Sequence, residues 1–352
     1  MSKYRFCNDY AEGAHPRILE LLSQCNLNQE EGYGNDSLSQ QAERLLKAAI
    51  GNPQAAVHFV SGGTQANLIV LAAILKPYES VIAAATGHIF VHEAGAIEAT
   101  GHKVNVVNTP DGKLTAGLVR QVVAQHTDEH MVKPRAVYVS NSTELGTVYT
   151  RAELESLAHA CREKNLVLFL DGARLGAALV SAASDLTLAD LAKLVDVFYI
   201  GGTKNGALLG EAIVINQVAL QADFRFHIKQ RGGLLAKGSL LGAQFAALFR
   251  DDLYFELARH ANATAQALAG GLKALGYSFF ADPVTNMIFP ILPNALIRFL
   301  EDRYDFYVWC PVAEDRSAIR LVTSWATPAG KVDEFLEAVK EWPDPSSGGR
   351  GS

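Results

Sequence analysis

The sequence has no apolar stretch able to span a bilayer: its longest run, Leu68 to Leu75, falls far short of the roughly 18 residues a transmembrane helix needs. It also lacks a basic cluster. Lys and Arg number 31 against 37 Asp and Glu, for a net charge of −6, and the basic residues are thinly spread, so the charge density that displaces counterions from a polyanion is missing. Neither a membrane nor nucleic acid is expected as a partner. Cysteine is scarce, with four residues at 7, 25, 161 and 310 and no C-x-x-C spacing, which suggests neither a metal site nor a disulfide framework. The opening Met-Ser-Lys-Tyr-Arg-Phe-Cys-Asn has no apolar core of a secretory leader, so a cytoplasmic protein is expected. There is no internal repeat.

What remains is an ordinary globular composition, 49% hydrophobic and 19% charged over 352 residues, long enough for more than one core. From about residue 56 to 215, short apolar or β-branched runs alternate with helical patterns, the signature of βα units on a mainly parallel sheet. Seven strands are expected, at 56–60, 80–84, 103–107, 136–140, 167–170, 197–200 and 212–215. Most are unbroken apolar runs, as strands buried on both faces must be. Helices fit between them at 64–75, 115–125, 151–164 and 188–195; Thr150 with Glu153 forms a capping-box pattern for the third. Two further helices are expected within 234–275. Beyond Gly276 shorter strands at 287–290, 306–309 and 319–323 mix with two helices. The reading is an N-terminal segment (1–30), a large α/β domain (31–250), a smaller α+β domain (251–342) and a disordered tail (343–352) rich in Pro, Gly and Ser.

Three places could carry chemistry. Lys204, in Phe-Tyr-Ile-Gly-Gly-Thr-Lys-Asn-Gly, follows a buried strand among small residues that leave room for something flat. Burial disfavours an ammonium ion and suits the amine to Schiff-base formation with an aldehyde; the alternative is a surface lysine in a turn. Asp171 ends an apolar strand, so it projects at the carboxyl edge of the sheet, where open α/β sheets bind ligands. It could pair with a pyridinium nitrogen or simply cap the following turn. Ser61-Gly62-Gly63-Thr64 is a glycine-rich strand-to-helix turn whose amides could hold a phosphate, although many such turns carry glycine, and neither the G-x-x-x-x-G-K-[ST] nor the G-x-G-x-x-G pattern is present.

The order of these pieces, a phosphate-type turn, a strand-end Asp and a strand-end Lys 33 positions later (204 − 171), resembles fold type I enzymes dependent on pyridoxal 5'-phosphate (PLP). Within that superfamily the chain resembles the low-specificity L-threonine aldolases. The resemblance runs from Asn8-Asp9 and Gly32-Tyr33-Gly34-Asn35-Asp36 through Ser61 to Asn67, Gly87-His88 to Gly95, Asp171-Gly-Ala-Arg174 and Gly201-Gly-Thr-Lys204. It implies that Lys204 holds PLP, that Asp171 binds its ring nitrogen, that Gly62, Gly63 and Thr64 hold its phosphate, and that His88 stacks on the ring and serves as the best available base. Arg174 and Arg320 are the implied grips on a substrate carboxylate, which a planar guanidinium binds in bidentate fashion; Arg174 also borders the cofactor, and Asn8 and Tyr33 complete the expected substrate contacts.

One departure concerns the base. Many aldolases of this kind carry an Asn-Thr-His segment after the middle strand, whereas this chain reads Ser-Asn-Ser-Thr-Glu144-Leu-Gly-Thr. The implied reaction is cleavage of L-threonine, L-allo-threonine or another β-hydroxy-α-amino acid to glycine and an aldehyde, with phenylserine cleavage, β-elimination or transamination as alternatives. A non-catalytic PLP-fold binding module is the rival from another class, and retention of Lys204, Asp171, His88 and both arginines argues against it. The resemblance further implies a homodimer or homotetramer with sites completed at the subunit interface, where the basic segment with Lys229, Gln230, Arg231 and Lys237 either approaches a neighbour's phosphate or is simply an exposed basic helix face.

Overall fold

The computed structural model describes residues 3–343; the disorder expected of the tail falls, from 344 onward, outside the described residues. After a two-residue strand β1 (Tyr4–Arg5), the chain forms β2 (Ala56–Val60), β3 (Glu79–Ala84), β4 (Lys103–Val107), β5 (Lys133–Ser140), β6 (Val167–Asp171), β7 (Val197–Gly201) and β8 (Glu211–Ile215). The last seven make one sheet in the order β2-β8-β7-β6-β5-β3-β4, with β8 antiparallel to both neighbours and the other pairs parallel. All seven lie where the apolar runs put them. The sheet is mixed because only the nine residues 202–210 join β7 to β8, too few for the helical crossover that a parallel return requires.

Both faces of the central strands are covered, which is why their sequences are continuously apolar. Val137, Val139, Leu168, Leu170, Phe198 and Ile200 point into one core, and their alternating neighbours Ala136, Tyr138, Val167, Phe169, Val197 and Tyr199 into the other, the period of two that a pleated strand imposes. The first core is closed by helices including Ser37–Ile50, Arg151–Glu163 and Ser239–Leu248, the second mainly by Gly63–Ile74. The Thr150 capping box forms, with the Thr150 amide donating to Glu153 Oε2 at 2.8 Å.

A smaller sheet contains β9 (Met287–Ile288), β10 (Ile291–Pro293), β12 (Tyr307–Pro311) and β13 (Arg316–Val322), while β11 (Tyr304–Asp305) pairs with β1. The single strand expected over 287–290 is split. Pro290 has no N–H for a ladder; its carbonyl accepts from the Ile319 amide of β13 at 3.0 Å, and on its other side it forms an isolated bridge with Phe279. Helix Leu253–Ala274 belongs to two cores: Leu253, Tyr254 and Leu257 pack under the large sheet, whereas Ala265, Leu268 and Leu272 join Ile288, Leu321 and Phe335 under the small one. Phe6 is also in this second core, so the N-terminal segment is anchored beside the helix that contains Phe335.

Candidate active site

Register alignment brings the chemistry to one edge. Glu211 is opposite both Val60 and Gly201, and Asp171 is opposite Ser140, so the carboxyl ends of β2, β5, β6 and β7 and the start of β8 share one rim. There a cavity of about 740 Å³ opens, within the range of small-molecule sites. Two glycines make the rim this tight. A Cβ on Gly172 would collide with the Tyr199 carbonyl oxygen and one on Gly201 with the Ala173 carbonyl, while the Gly201 amide donates to the Gly172 carbonyl at 2.9 Å. The turns after β6 and β7 are therefore locked together, which fixes Asp171 relative to Lys204.

Lys204 lines the cavity. Burial, and then the nearby Arg174 charge, push its ammonium below the ordinary lysine value, against the opposing pull of Asp9, Asp171 and Glu211. Glu211, itself buried, is pushed up to about 8 by that burial, and it accepts from the Gly202 amide at 3.1 Å. A lysine so placed loses its proton readily, which is what a nucleophilic amine needs.

Asp171 is held by three donors: the Tyr138 hydroxyl, Asn67 Nδ2 at 3.2 Å and the Ala173 amide at 3.0 Å. Asn67 Nδ2 also donates to Glu93 Oε1 at 2.7 Å, and the same oxygen lies 2.8 Å from His88 Nδ1. A carboxylate at Nδ1 keeps the proton there and leaves Nε2 as the acceptor. One amide thus ties the strand-end aspartate to the histidine's partner, so ring and carboxylate are oriented together.

Helix Gly63–Ile74 begins at Gly62 without a side-chain cap, so its first amides, which no α-helix can satisfy internally, are left for another acceptor. Gly62, Gly63 and Thr64 line the cavity, and a Cβ on Gly62 would meet nothing within 4 Å. The helix start is thus open to a phosphate. With the lysine, the aspartate and the His88 ring around the same space, the residues fit a flat, phosphorylated aldehyde bearing a ring nitrogen.

The two arginines lie deeper. Arg174 is bonded through Nε and Nη2 to Asp9 at 2.7 and 3.0 Å, and Asn286 Nδ2 adds a bond to Asp9 at 2.9 Å. Arg320 donates Nη2 to the Cys7 carbonyl at 3.1 Å and lies 4.9 Å from the Tyr307 ring, while its buried Nε has no partner. Burial, then the Arg174 charge, push Arg320 below its ordinary value. The unfilled Arg320 Nε, beside the Arg174 charge, offers an anion a place to bind.

Eight of the ten predicted residues, Gly62, Gly63, Thr64, His88, Asp171, Arg174, Lys204 and Arg320, therefore line one cavity. Two do not. The Asn8 side chain accepts from the Tyr10 amide at 3.1 Å in a local turn, and it is Tyr10 that reaches the cavity. Tyr33 borders a separate small recess, its ring 4.6 Å from Lys229 Nζ. Sequence reading gave no role to Asp9, Asn67, Tyr138, Glu144 or Glu211. Asp9 and Asn67 were inside the quoted motifs, and Glu211 carried a signal of its own as a charged residue opening an apolar strand.

Comparison with known proteins agrees with this geometry. Residues 12–294 match the family of beta-eliminating lyases. The low-specificity L-threonine aldolase of Pseudomonas aeruginosa is 32% identical over 96% of this chain and 97% of its own. A solved structure of Leishmania major threonine aldolase is 49% identical and superposes with a TM-score of 0.94, covering 96% of this chain and 98% of that one. A Thermus thermophilus aspartate aminotransferase with maleate shares the fold alone, at 17% identity and a TM-score of 0.72 over 96% of this chain and 90% of that one. The chain belongs to the beta-eliminating lyase family and, within it, to the low-specificity L-threonine aldolases.

Proposed function

We propose that this chain is a lyase that cleaves L-threonine and L-allo-threonine to glycine and acetaldehyde with PLP as cofactor. The observation that carries it is the facing of Lys204, Asp171 and the open Gly62–Thr64 amides across one cavity that also holds two arginines. When bound, PLP withdraws electrons from the substrate's Cα and so makes bonds to that carbon labile. Lys204 would hold the cofactor through its amine, Asp171 would pair with its ring nitrogen, the helix-start amides would take its phosphate, and His88 would cover its ring. Arg174 and Arg320 would grip the substrate carboxylate and so fix the orientation of the substrate's Cα.

Phenylserine is the second substrate reading, favoured by Tyr307, Trp309 and Met287 in the cavity wall, which offer an aryl group an apolar face. The exposed Phe90 and Val91 beside His88, at 45% and 46% of full exposure, support a homodimer or homotetramer in which a neighbour covers them. All four cysteines are free thiols, which supports a reducing, cytoplasmic setting. The test is the absorbance of the purified protein followed by L-threonine addition, with acetaldehyde detected by coupled alcohol dehydrogenase. A yellow band with acetaldehyde release is expected. A band without any aldehyde from threonine or phenylserine would refute the aldolase reading, and no band after PLP addition would refute the role of Lys204.

A further inference from the structure

Aldol cleavage requires that the β-hydroxyl lose its proton as the Cα–Cβ bond breaks, and the assignment of that proton rests on the aldolase reading above. His88 is poorly placed for the task. Its Nδ1 is taken by Glu93, which leaves it Nε2 alone, and the same ring would also have to cover the cofactor.

Glu144 follows β5 in the turn that replaces the family's Asn-Thr-His segment, and it lines the cavity with His88, Asp171 and Ser142. Its Oε1 is fixed by two donors, Ser140 Oγ at 2.8 Å and the His88 amide at 2.9 Å. Oε2 has no hydrogen-bond partner among the described residues, and it is not among the buried atoms left without one. The carboxyl group is therefore anchored by one oxygen and presents the other to the cavity. Beside it the Ser142 Oγ is buried and unpartnered, a second polar atom with nothing in the protein to bind.

We propose that Glu144 Oε2 receives the β-hydroxyl proton of the substrate. The hydroxyl O–H bond breaks as the proton passes to Oε2, that bond's electron pair becomes the second C–O bond of the aldehyde, and the Cα–Cβ pair stays with Cα. The proton taken balances the one Cα gains as glycine forms, so no co-reactant is needed. Its surroundings suit the role. Burial, then the negative charge of Asp171, push Glu144 above the usual carboxylate range, with His88 pulling the other way; Arg174, Tyr138 and Tyr149 also feel its charge, and His92, Lys204, Glu211 and Arg320 line the same cavity. A base whose proton affinity approaches the working pH transfers protons best in both directions.

The test compares two reactions of the PLP-loaded enzyme, cleavage of L-threonine and exchange of the glycine Cα proton with deuterated water. Both need the cofactor and both arginines, and only cleavage involves a β-hydroxyl. Glu144→Gln is expected to lower kcat for cleavage by about 10²-fold or more, with KM changed by less than about threefold and exchange slowed far less than cleavage; Glu144→Asp should recover part of the loss. The acid limb of the kcat/KM profile should move in Glu144→Gln, and a protonated-carboxyl stretch that titrates in infrared difference spectra of the wild type should vanish. Equal losses of cleavage and exchange would overturn the proposal by showing a general effect on the site, and undiminished cleavage would overturn it outright. A wild type that exchanges glycine protons but cleaves no β-hydroxy-amino acid would sink the aldolase reading instead.

Discussion

Removing the Asp9 carboxylate should unsettle both stability and substrate binding. Asp9 and Arg174 form a two-point ion pair, with the side chains only 1% and 14% exposed, and Asn286 supplies a third bond. Burial alone would raise the Asp9 carboxyl, but Arg174 and Lys204 outweigh it and hold it below its ordinary value of 3.8. Breaking a buried pair by deleting one partner costs about 3–5 kcal/mol, because the other charge stays buried without compensation. The pair Arg120–Glu163, with both side chains 40% exposed, provides the contrast, since solvent screens exposed pairs. Asp9→Asn keeps the shape and removes the charge, so its urea unfolding, at fixed protein concentration and without PLP, should show most of that cost, and Glu163→Gln far less. Adding Arg174→Met to Asp9→Asn should restore part of the loss, since the stranded guanidinium is gone. A depressed carboxylate contributes stability that is present above its unfolded pKa and lost as pH falls through its folded one. The gap between wild type and Asp9→Asn should therefore close below about pH 4. A cost under about 1 kcal/mol, or a KM for threonine unchanged by Asp9→Asn, would refute the claim that Asp9 anchors Arg174.

Other expectations are simpler to read. Lys204→Ala should abolish both the PLP absorbance band and turnover, seen by spectrophotometry and the acetaldehyde assay. Gly63→Val should weaken PLP binding roughly tenfold, equivalent to about 1.4 kcal/mol, because even a Cβ there would lie 3.0 Å from the Tyr199 hydroxyl and must displace the turn; fluorescence titration of the apoprotein with PLP measures it. Arg320→Lys keeps the charge but loses the planar fork and its stack on Tyr307, so kcat/KM for threonine should fall by about 10- to 100-fold, the equivalent of one charged hydrogen bond of about 1.5–3 kcal/mol, with PLP absorbance retained.

The large sheet was legible because burial on both faces forces an unbroken apolar run, a pattern with few competing explanations. The small sheet was less so. Its strands are short, β12 is largely exposed, and Pro290 ends a run that looks continuous in sequence. Helix Ser37–Ile50 went unread although its stop and start signals were present: Asp36 caps it through the Ser39 amide at 2.8 Å, and Gly51 closes it in the left-handed region at φ 66°. Its weak mean hydropathy hid a face made of Ala42, Leu46 and Ile50.

At the site the divide between what could and could not be read is one of sequence distance. Lys204, Asp171 and the Gly62–Thr64 turn each sit at the end of a recognisable strand, so the direction of the strand alone sends them to the carboxyl edge. Asp9 is 165 residues from Arg174 and 277 from Asn286, and no local pattern marks a partner that far away. Its place is set by Phe6 in the C-terminal core and by β1 pairing with β11, contacts that exist only once the chain's two ends have met. The same holds for Cys7, whose carbonyl orients Arg320. The N-terminal segment thus steadies both arginines. It follows that substitutions along β1, such as Tyr4→Pro, which would remove the Tyr4 amide's bond to the Arg303 carbonyl at 3.3 Å, should raise KM for the amino acid before they weaken PLP binding. The arginines donate hydrogen bonds to that segment, whereas Asp171 and the phosphate turn are held by the large sheet and its helices.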